Sequence, residues 1–366
     1  MLERDNRGPG RLRELLAGSE PVVAPGAYDA LSARLVEQAG FDAVYMTGFG
    51  ASASLLGQPD VGLLSFAEMV DQARRLADAV SVPLIADADD GYGNPINVTR
   101  TVRAYEAAGV AGLHLEDQLS PKRCGHLEGK QLIAASEMVE KVHAAVEARR
   151  SADLVIIART DARAVESLDA ALERARRYRD AGADVLFVEA PESEAEVVAV
   201  AEAFPETPLL FNAVEGGRTP LLELARLREL GFRLVICPLT GLLAATGALQ
   251  QALSRLRGSG TPRDDGALSF AGFTDLVGLP DIERLEARFA AAPRGGLSPE
   301  LSAAASRSAR GSRATARACR SWSRSSPGCA CGSSDSPRRC SRSSVAAGRP
   351  RDGTPGSTPP WSAGCG

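Results

Sequence analysis

Aromatic side chains are scarce in this chain, 5% of 366 residues, and both tryptophans, Trp322 and Trp361, lie toward its C-terminal end. No run of about 18 apolar residues is present to span a bilayer. The opening MLERDNRGPGRLREL lacks an apolar secretion core, so a cytoplasmic location with no membrane attachment is expected. No long basic run precedes the C-terminal region, which removes the electrostatic footprint of a nucleic-acid binder. What is present is a 44% hydrophobic chain with a net charge of −4, able to bury a large core and compatible with small anionic metabolites as partners.

Composition changes near Pro293. From Gly295 onward there are 11 arginines, 3 acidic residues and no lysine, so this stretch carries +8 and the preceding chain −12. It also holds Cys319, Cys329, Cys331, Cys340 and Cys365, five of the seven cysteines. Few aliphatics and no sustained hydrophobic period leave it too little apolar surface to offset its chain entropy. The cysteine spacings miss paired C-x2-C ligation and the stretch has no histidine, which argues against a zinc knuckle. Residues 293–366 therefore read as a disordered extension, of a composition that out-of-frame translation of GC-rich DNA would also give. Residues 1–20 read as an N-terminal helical extension and residues 21–292 as the catalytic body.

In that body, short β-rich runs alternate with stretches of helical period, the pattern of parallel strands joined by crossover helices. The strand candidates are 21–24, 43–47, 84–87, 112–116, 154–159, 185–189, 209–212 and 234–238. Helical patterns cover 65–80, 97–108, 136–149, 167–181 and 220–230. Gly40, Gly109, Gly182 and Gly231 each stand just before a strand, where a glycine supplies a left-handed helix cap. Eight β/α units in about 250 residues fit an α/β fold of the (β/α)8 TIM-barrel type. A doubly wound sheet is disfavoured, since no G-x-G-x-x-G follows the first run.

Chemistry in such a barrel gathers at the C-terminal strand ends. Here those ends carry Thr47 with Gly48, Asp87 with Asp89, Glu116, Arg159 with Asp161, Glu189, Asn212, and Pro238 with Thr240. Any one of them alone reads as a cap or turn residue; seven polar ends together read as a site. Asp87, Asp89 and Glu116 offer carboxylates at adjacent ends, with no lysine in the DADDGYGN segment to neutralise them. Hard oxygen ligands in this number suit Mg²⁺, or Mn²⁺ in its place. The plainer alternative is that this loop caps the helix after it. Beyond Glu116 a long polar loop sets Lys122, Arg123 and His126 around Cys124, neighbours expected to lower the thiol pKa. Beside a metal site, such a thiol suits proton transfer better than acyl chemistry. Cys237, in the aliphatic run LVICPL, reads as a small core residue. His114 within a strand and His143 on a helix read as structural.

The segments YMTGFGASASLLGQPDVG, IADADDGYGN, HLEDQLSPKRCGHLEGK, IARTDAR, FVEAP and NAVEGG, in this order, resemble the phosphoenolpyruvate mutase/isocitrate lyase superfamily across residues 21–290. The resemblance implies a barrel whose last helix is swapped between subunits of a homotetramer. It implies that Thr47 and Gly48 bind a substrate carboxylate, and that Asp87, Asp89 and Glu116 surround Mg²⁺, some through water, with Asp60 an acid nearby. Residues 122–126 become a mobile gate, Lys122, Arg123, Gly125 and His126 framing Cys124 as general acid. Arg159, Glu189 and Asn212 become substrate contacts, and Tyr45 manages a hydroxyl proton. Thr240, from its place at the last strand end, is expected as a further substrate contact.

Cys124 separates the chain from phosphoenolpyruvate mutase proper. Methylisocitrate lyases share KRCGH but typically continue with RPNK and carry a threonine in an N-x-T-E segment. Here the sequence runs HLEGK, and Val214 cannot hydrogen-bond an extra carboxylate. HLEGK and VEGG look most like carboxyvinyl-carboxyphosphonate phosphorylmutase and the oxaloacetate-processing and dimethylmalate-type lyases, and Phe49 narrows the pocket. The leading expectation is a Mg²⁺-dependent carbon–carbon lyase acting on a small 2-hydroxy or 2-oxo dicarboxylate through an enolate. The alternative is a phosphorylmutase that forms a phosphorus–carbon bond on the same platform. A non-catalytic metabolite-binding barrel would be expected to have lost a carboxylate or the acid, and none is lost.

Overall fold

In a computed structural model of the chain, residues 8–262 and 266–291 are described. The strands are β1 (Val22–Ala27), β2 (Val44–Met46), β3 (Leu84–Asp87), β4 (Gly112–Glu116), β5 (Val155–Thr160), β6 (Val185–Val188), β7 (Leu209–Asn212) and β8 (Phe232–Cys237). Each pairs in parallel with its neighbours in chain order, and β8 closes on β1. All eight expected strands are present, and closure leaves no free sheet edge. The helices are α1 (Gly8–Ala17), α2 (Ala30–Gln38), α3 (Gly48–Leu56), α4 (Phe66–Ala79), α5 (Pro95–Ala107), α6 (Ala135–Ala148), α7 (Ala162–Val165), α8 (Leu168–Asp180), α9 (Glu194–Ala203), α10 (Leu224–Glu229), α11 (Thr240–Ser259), α12 (Phe270–Leu276) and α13 (Leu279–Ala291).

Local chemistry explains the boundaries. Ser65 accepts the Glu68 N–H and Glu68 reaches back to the Ser65 N–H, a reciprocal cap that starts α4. Gly40, Gly109, Gly182 and Gly231 have φ of 90°, 88°, 101° and 87°, the left-handed geometry expected of them. The helix expected at 220–230 begins only at Leu224, where no side chain caps it.

Alternation along the strands builds two apolar layers. Ala43, Tyr45, Ile85, Val155, Ile157, Val185 and Phe187 face the barrel interior, while Val44, Met46, Leu84, Ala86, Ile156 and Leu186 face the helices. Leu12 and Leu16 of α1 join the interior cluster, so this helix closes one mouth of the barrel. The opposite mouth, at the C-terminal strand ends, is left for polar groups.

The 20-residue α11 has no buried residue. Contact density separates Met1–Arg288 from Phe289–Gly366. Of the second unit only the end of α13 is described, so the Arg/Ser/Pro/Gly-rich stretch with its five cysteines lies outside the described residues. No helix among the described residues is long and apolar enough to cross a membrane.

Candidate active site

The strand ends open onto one chamber. Its polar lining comprises Tyr45, Thr47, Asp60, Asp87, Glu116 and Lys122 together with Cys124, Gly125, His126, Arg159, Glu189 and Asn212. Phe49, Val214, Ile236, Pro238 and Leu239 supply an apolar wall.

Asp87 ends β3 and lies directly against the start of α3. A Cβ at Gly48 would fall 2.4 Å from Asp87 Oδ2, so only glycine lets carboxylate and helix approach this closely. Thr47 caps α3 by accepting the Gly50 N–H at 3.2 Å, which leaves its own proton free to donate. Asp89 turns with φ 48° and donates its N–H to Asp87 Oδ1 at 3.0 Å. The helix after this loop is capped by Asn94, which accepts from Ile96 and Asn97, so capping does not account for the aspartates.

The structure corrects one expectation here. The acidic loop does have a lysine partner: Lys122 arrives from the loop after β4, and its ammonium lies 2.8 Å from Asp60 and 2.7 Å from Asp89. Linear distance hid this, because 33 positions of chain fold back to make the contact. Burial disfavours the Lys122 charge, but Asp89, Asp87 and Asp60 raise its pKa well above the ordinary lysine range. Desolvation lifts Asp89 to about 6, helped by Asp87 and Asp60. Desolvation also acts upward on Asp87, yet His114, Lys122 and the Asp89 N–H hold it near 2. Glu116 is pushed well up by burial.

Could these residues hold a divalent ion? Glu116 Oε1 is buried without a hydrogen-bond partner, and the carboxylates of Asp60, Asp87, Asp89 and Glu116 surround one ammonium. Among the described residues, no three Asp, Glu, His or Cys side chains converge as a ready-made direct ligand set. That combination fits an ion such as Mg²⁺, which binds through one or two carboxylates and keeps most of its waters.

Arg159 adjoins this cluster. Its Nε and Nη2 fork onto Asp161 at 2.9 and 3.1 Å. Glu116 lies 3.3 Å from Nε and Glu189 3.5 Å from Nη1. Asn212 donates to both Glu189 oxygens, at 3.3 and 3.2 Å. Beneath the chamber, Tyr45 Oη and His114 Nε2 are 2.8 Å apart. His114, read from sequence as structural, is fully buried behind Tyr45 and does not itself line the chamber; its burial lowers its pKa to about 4.

The loop between β4 and α6 folds over the opening. Its neck is a Gln118–Leu132 bridge, Gln118 holds both the N–H and the carbonyl of Arg123, and the Cys124 N–H donates to Asp60 O at 3.1 Å. Cys124 departs from the expected sign: burial pushes its thiol up to about 11. The reason is where the cations go. Lys122 is engaged by Asp60 and Asp89, Arg123 is exposed and turned toward the Glu128 carbonyl at 3.4 Å, and desolvation lowers the pKa of His126. Four expected site residues therefore do not line the chamber. Arg123 and Thr240 are exposed, and the Thr240 hydroxyl donates to Glu215. Gly48 and Asp89 are buried just behind the lining, against Asp87 and Lys122 respectively. Cys237 is half-buried against the core, as expected.

Sequence reasoning passed over Lys130 and Asp117, which brace the chamber from behind. For Lys130 a signal was present in the composition, since lysine occurs only three times in the chain; Asp117, one of many acidic residues, had none.

Residues 12–257 match the phosphoenolpyruvate phosphomutase family. The chain belongs to this family. Within it, the chain is 49% identical over 282 residues to 2,3-dimethylmalate lyase of Eubacterium barkeri, covering 76% of this chain and 97% of that one. It is 44% identical over 285 residues to the chloroplastic carboxyvinyl-carboxyphosphonate phosphorylmutase of Arabidopsis thaliana, covering 76% and 84%. Among solved structures, oxaloacetate acetylhydrolase bound to the inhibitor 3,3-difluorooxalacetate superposes with a TM-score of 0.76 at 39% identity, over 80% of this chain and 100% of that one. Phosphonopyruvate hydrolase with oxalate and Mg²⁺ gives 0.71 at 33% identity, over 77% and 98%.

Proposed function

We propose that this family member is a divalent-cation-dependent lyase that cleaves a carbon–carbon bond in a small 2-hydroxy or 2-oxo dicarboxylate. The observation that carries the reading is one chamber in which a carboxylate cluster, a fixed arginine and the Cys124 thiol face the same small space. Asp87, Asp89 and Glu116, with Asp60 nearby, would hold Mg²⁺, for which Mn²⁺ substitutes. When bound, that ion supplies Lewis acidity toward the substrate's α-oxygen and carboxylate.

The protein's own groups do the rest. Arg159 and Asn212 bind the substrate's carboxylates, with Thr47 and the Gly48 backbone as further donors, and Glu189 holds both Arg159 and Asn212 in place. Tyr45 accepts the hydroxyl proton while passing its own to His114 Nε2, and the electrons of the O–H bond form the carbonyl. The carbon–carbon bond breaks toward the second fragment, whose enolate carbon takes the Cys124 Sγ proton. After release His114 returns its extra proton through Tyr45 to solvent and the Cys124 thiolate takes one proton back, so each turnover moves one proton from hydroxyl to carbon with no net uptake. Phe49, Val214 and Leu239 leave an apolar wall suited to an alkyl substituent and not to a third carboxylate. The similarity to the Arabidopsis phosphorylmutase favours a second reading, phosphorus–carbon bond formation in the same chamber.

Incubation of purified protein and Mg²⁺ with oxaloacetate, methylisocitrate, dimethylmalate or carboxyphosphonoenolpyruvate, followed by ¹H and ³¹P NMR, tests both. Cleavage of a phosphorus-free dicarboxylate, lost with EDTA and restored by Mg²⁺ or Mn²⁺, is the expected result. Turnover of the phosphonate alone would favour the mutase, and full turnover in excess EDTA would remove the metal. The exposed α11 supports a homotetramer that shares C-terminal helices. The cytoplasmic reading, with no nucleic-acid or membrane partner, rests on the sequence: its charge balance and its lack of an apolar secretion core.

A further inference from the structure

The chain's three lysines are all buried. Lys122 lies in the chamber, and Lys141 donates to the Asp90 carbonyl at 3.0 Å behind the acidic loop. Lys130, like Lys141, does not line the chamber. Its ammonium nevertheless sits 2.9 Å from Asp161 Oδ1 and donates to the carbonyl of Gly125. A buried ammonium costs several kcal/mol unless paired, so its placement has to be explained by what it joins.

Asp161 is a hub. Its N–H donates to Asp117 Oδ1 at 3.0 Å, and Asp117 is fully buried and also accepts from Thr160 and Tyr178. Its two oxygens take the fork of Arg159. The same carboxylate thus orients the chamber's guanidinium and receives the lysine that grips the loop. Gly125 shows how tight the fit is: a Cβ there would lie 2.6 Å from Arg159 Nη2 and 2.6 Å from Glu189 Cδ. The first half of the loop is anchored by Gln118 and Asp60. Its second half has a turn from Leu127 N–H to Cys124 O, a His126–Glu189 contact of 3.3 Å, and a surface pair of Arg218 with Glu128. Surface pairs of that kind contribute little, so the buried Lys130–Asp161 pair is this half's strong charged anchor.

We infer that Lys130 is a positioning residue that latches the 122–130 loop shut, tying the Gly125 carbonyl to Asp161 so that one carboxylate fixes Cys124 and Arg159 relative to each other. The catalytic consequence rests on the lyase reading; the latch itself does not.

The test uses the full chain carrying Lys130→Met, Lys130→Arg or Glu128→Gln, without substrate. Hydrogen exchange is followed by mass spectrometry on peptides covering 119–131 and the barrel strands. Alkylation of Cys124 by iodoacetamide at pH 8 is followed on its own peptide. Lys130→Met should speed exchange at 123–129 and Cys124 alkylation by about tenfold or more, with strand protection unchanged. Lys130→Arg should restore both to within about threefold, and Glu128→Gln should match the wild type. Wild-type loop exchange and alkylation in Lys130→Met would overturn the latch. So would exchange raised throughout the barrel, because Lys130 would then serve the fold at large. If a lyase substrate is in hand, kcat/KM of Lys130→Met should fall about tenfold and recover with arginine. A loop that opens as expected in a protein with no lyase activity would leave the latch standing and remove the lyase reading.

Discussion

At Cys124, burial decides what the thiol can do. A thiol raised from its ordinary 9.0 to about 11 stays protonated at neutral pH and donates a proton instead of attacking as a thiolate. Cys124→Ser keeps the size but raises the pKa further, so turnover should fall by about 10² to 10⁴ with little change in KM. Steady-state kinetics check this, and wild-type turnover in the serine variant would exclude Cys124 as the acid. The pH dependence has a definite sign. Because the folded pKa exceeds the unfolded one, the contribution of the protonated thiol is complete below pH 9 and is lost as pH rises toward 11. Thermal melts should therefore decline across that window in the wild type and decline less in Cys124→Ser. The residue types around this thiol were legible in the sequence, but their effect was not. Adjacency in KRCGH does not reveal that Lys122 points into Asp60 and Asp89 while Arg123 points outward. For the same reason nothing in the sequence shows that the buried His114 ring lies 2.8 Å from the Tyr45 hydroxyl.

Strands and their ends were the most readable level, because parallel strands buried on both faces leave continuous apolar runs that stop abruptly at a polar residue. Asp87, Glu116 and Asn212 each end their strand where those runs stop. What the runs do not carry is the docking of one element on another. Nothing in GPGRLRELLA signals that Leu12 and Leu16 enter the barrel interior. That contact predicts that Leu12→Ala, at a fully buried position, destabilises the fold by about 2 to 5 kcal/mol in urea titrations. Activity per folded molecule should stay unchanged, because the plug lies at the mouth opposite the chamber. Gly48→Ala should do the reverse. Its Cβ would meet Asp87 Oδ2 at 2.4 Å, so the carboxylate must swing away. Activity should drop by at least about tenfold while the melting temperature shifts little. A Gly48→Ala protein with wild-type activity would mean that Asp87 does not need this position.

Taken as a whole, the molecule joins an acidic catalytic body to a basic C-terminal stretch, a division visible in composition alone. Truncation after Ala292 should preserve folding and activity, checked by circular dichroism and turnover, since the removed residues have little apolar surface to contribute. Assembly is harder to read from sequence, because an amphipathic helix looks the same whether its own barrel or another subunit covers it. The structure adds what periodicity could not: α11 buries none of its residues, and Leu249 and Leu253 are 59% and 55% exposed. Isolated exposed leucines are ordinary, but a 20-residue helix with several of them and no buried side is a surface that a second copy would cover. On the homotetramer proposed above, light scattering of the wild type at micromolar concentration should give four times the chain mass. Leu249→Arg with Leu253→Arg should shift it to smaller species, because a charge placed in an apolar contact is desolvated without a partner. The barrel's circular dichroism should be retained, as neither side chain touches its core. A wild-type monomer under these conditions, or a double variant that keeps the tetrameric mass, would show that α11 is not the joining surface.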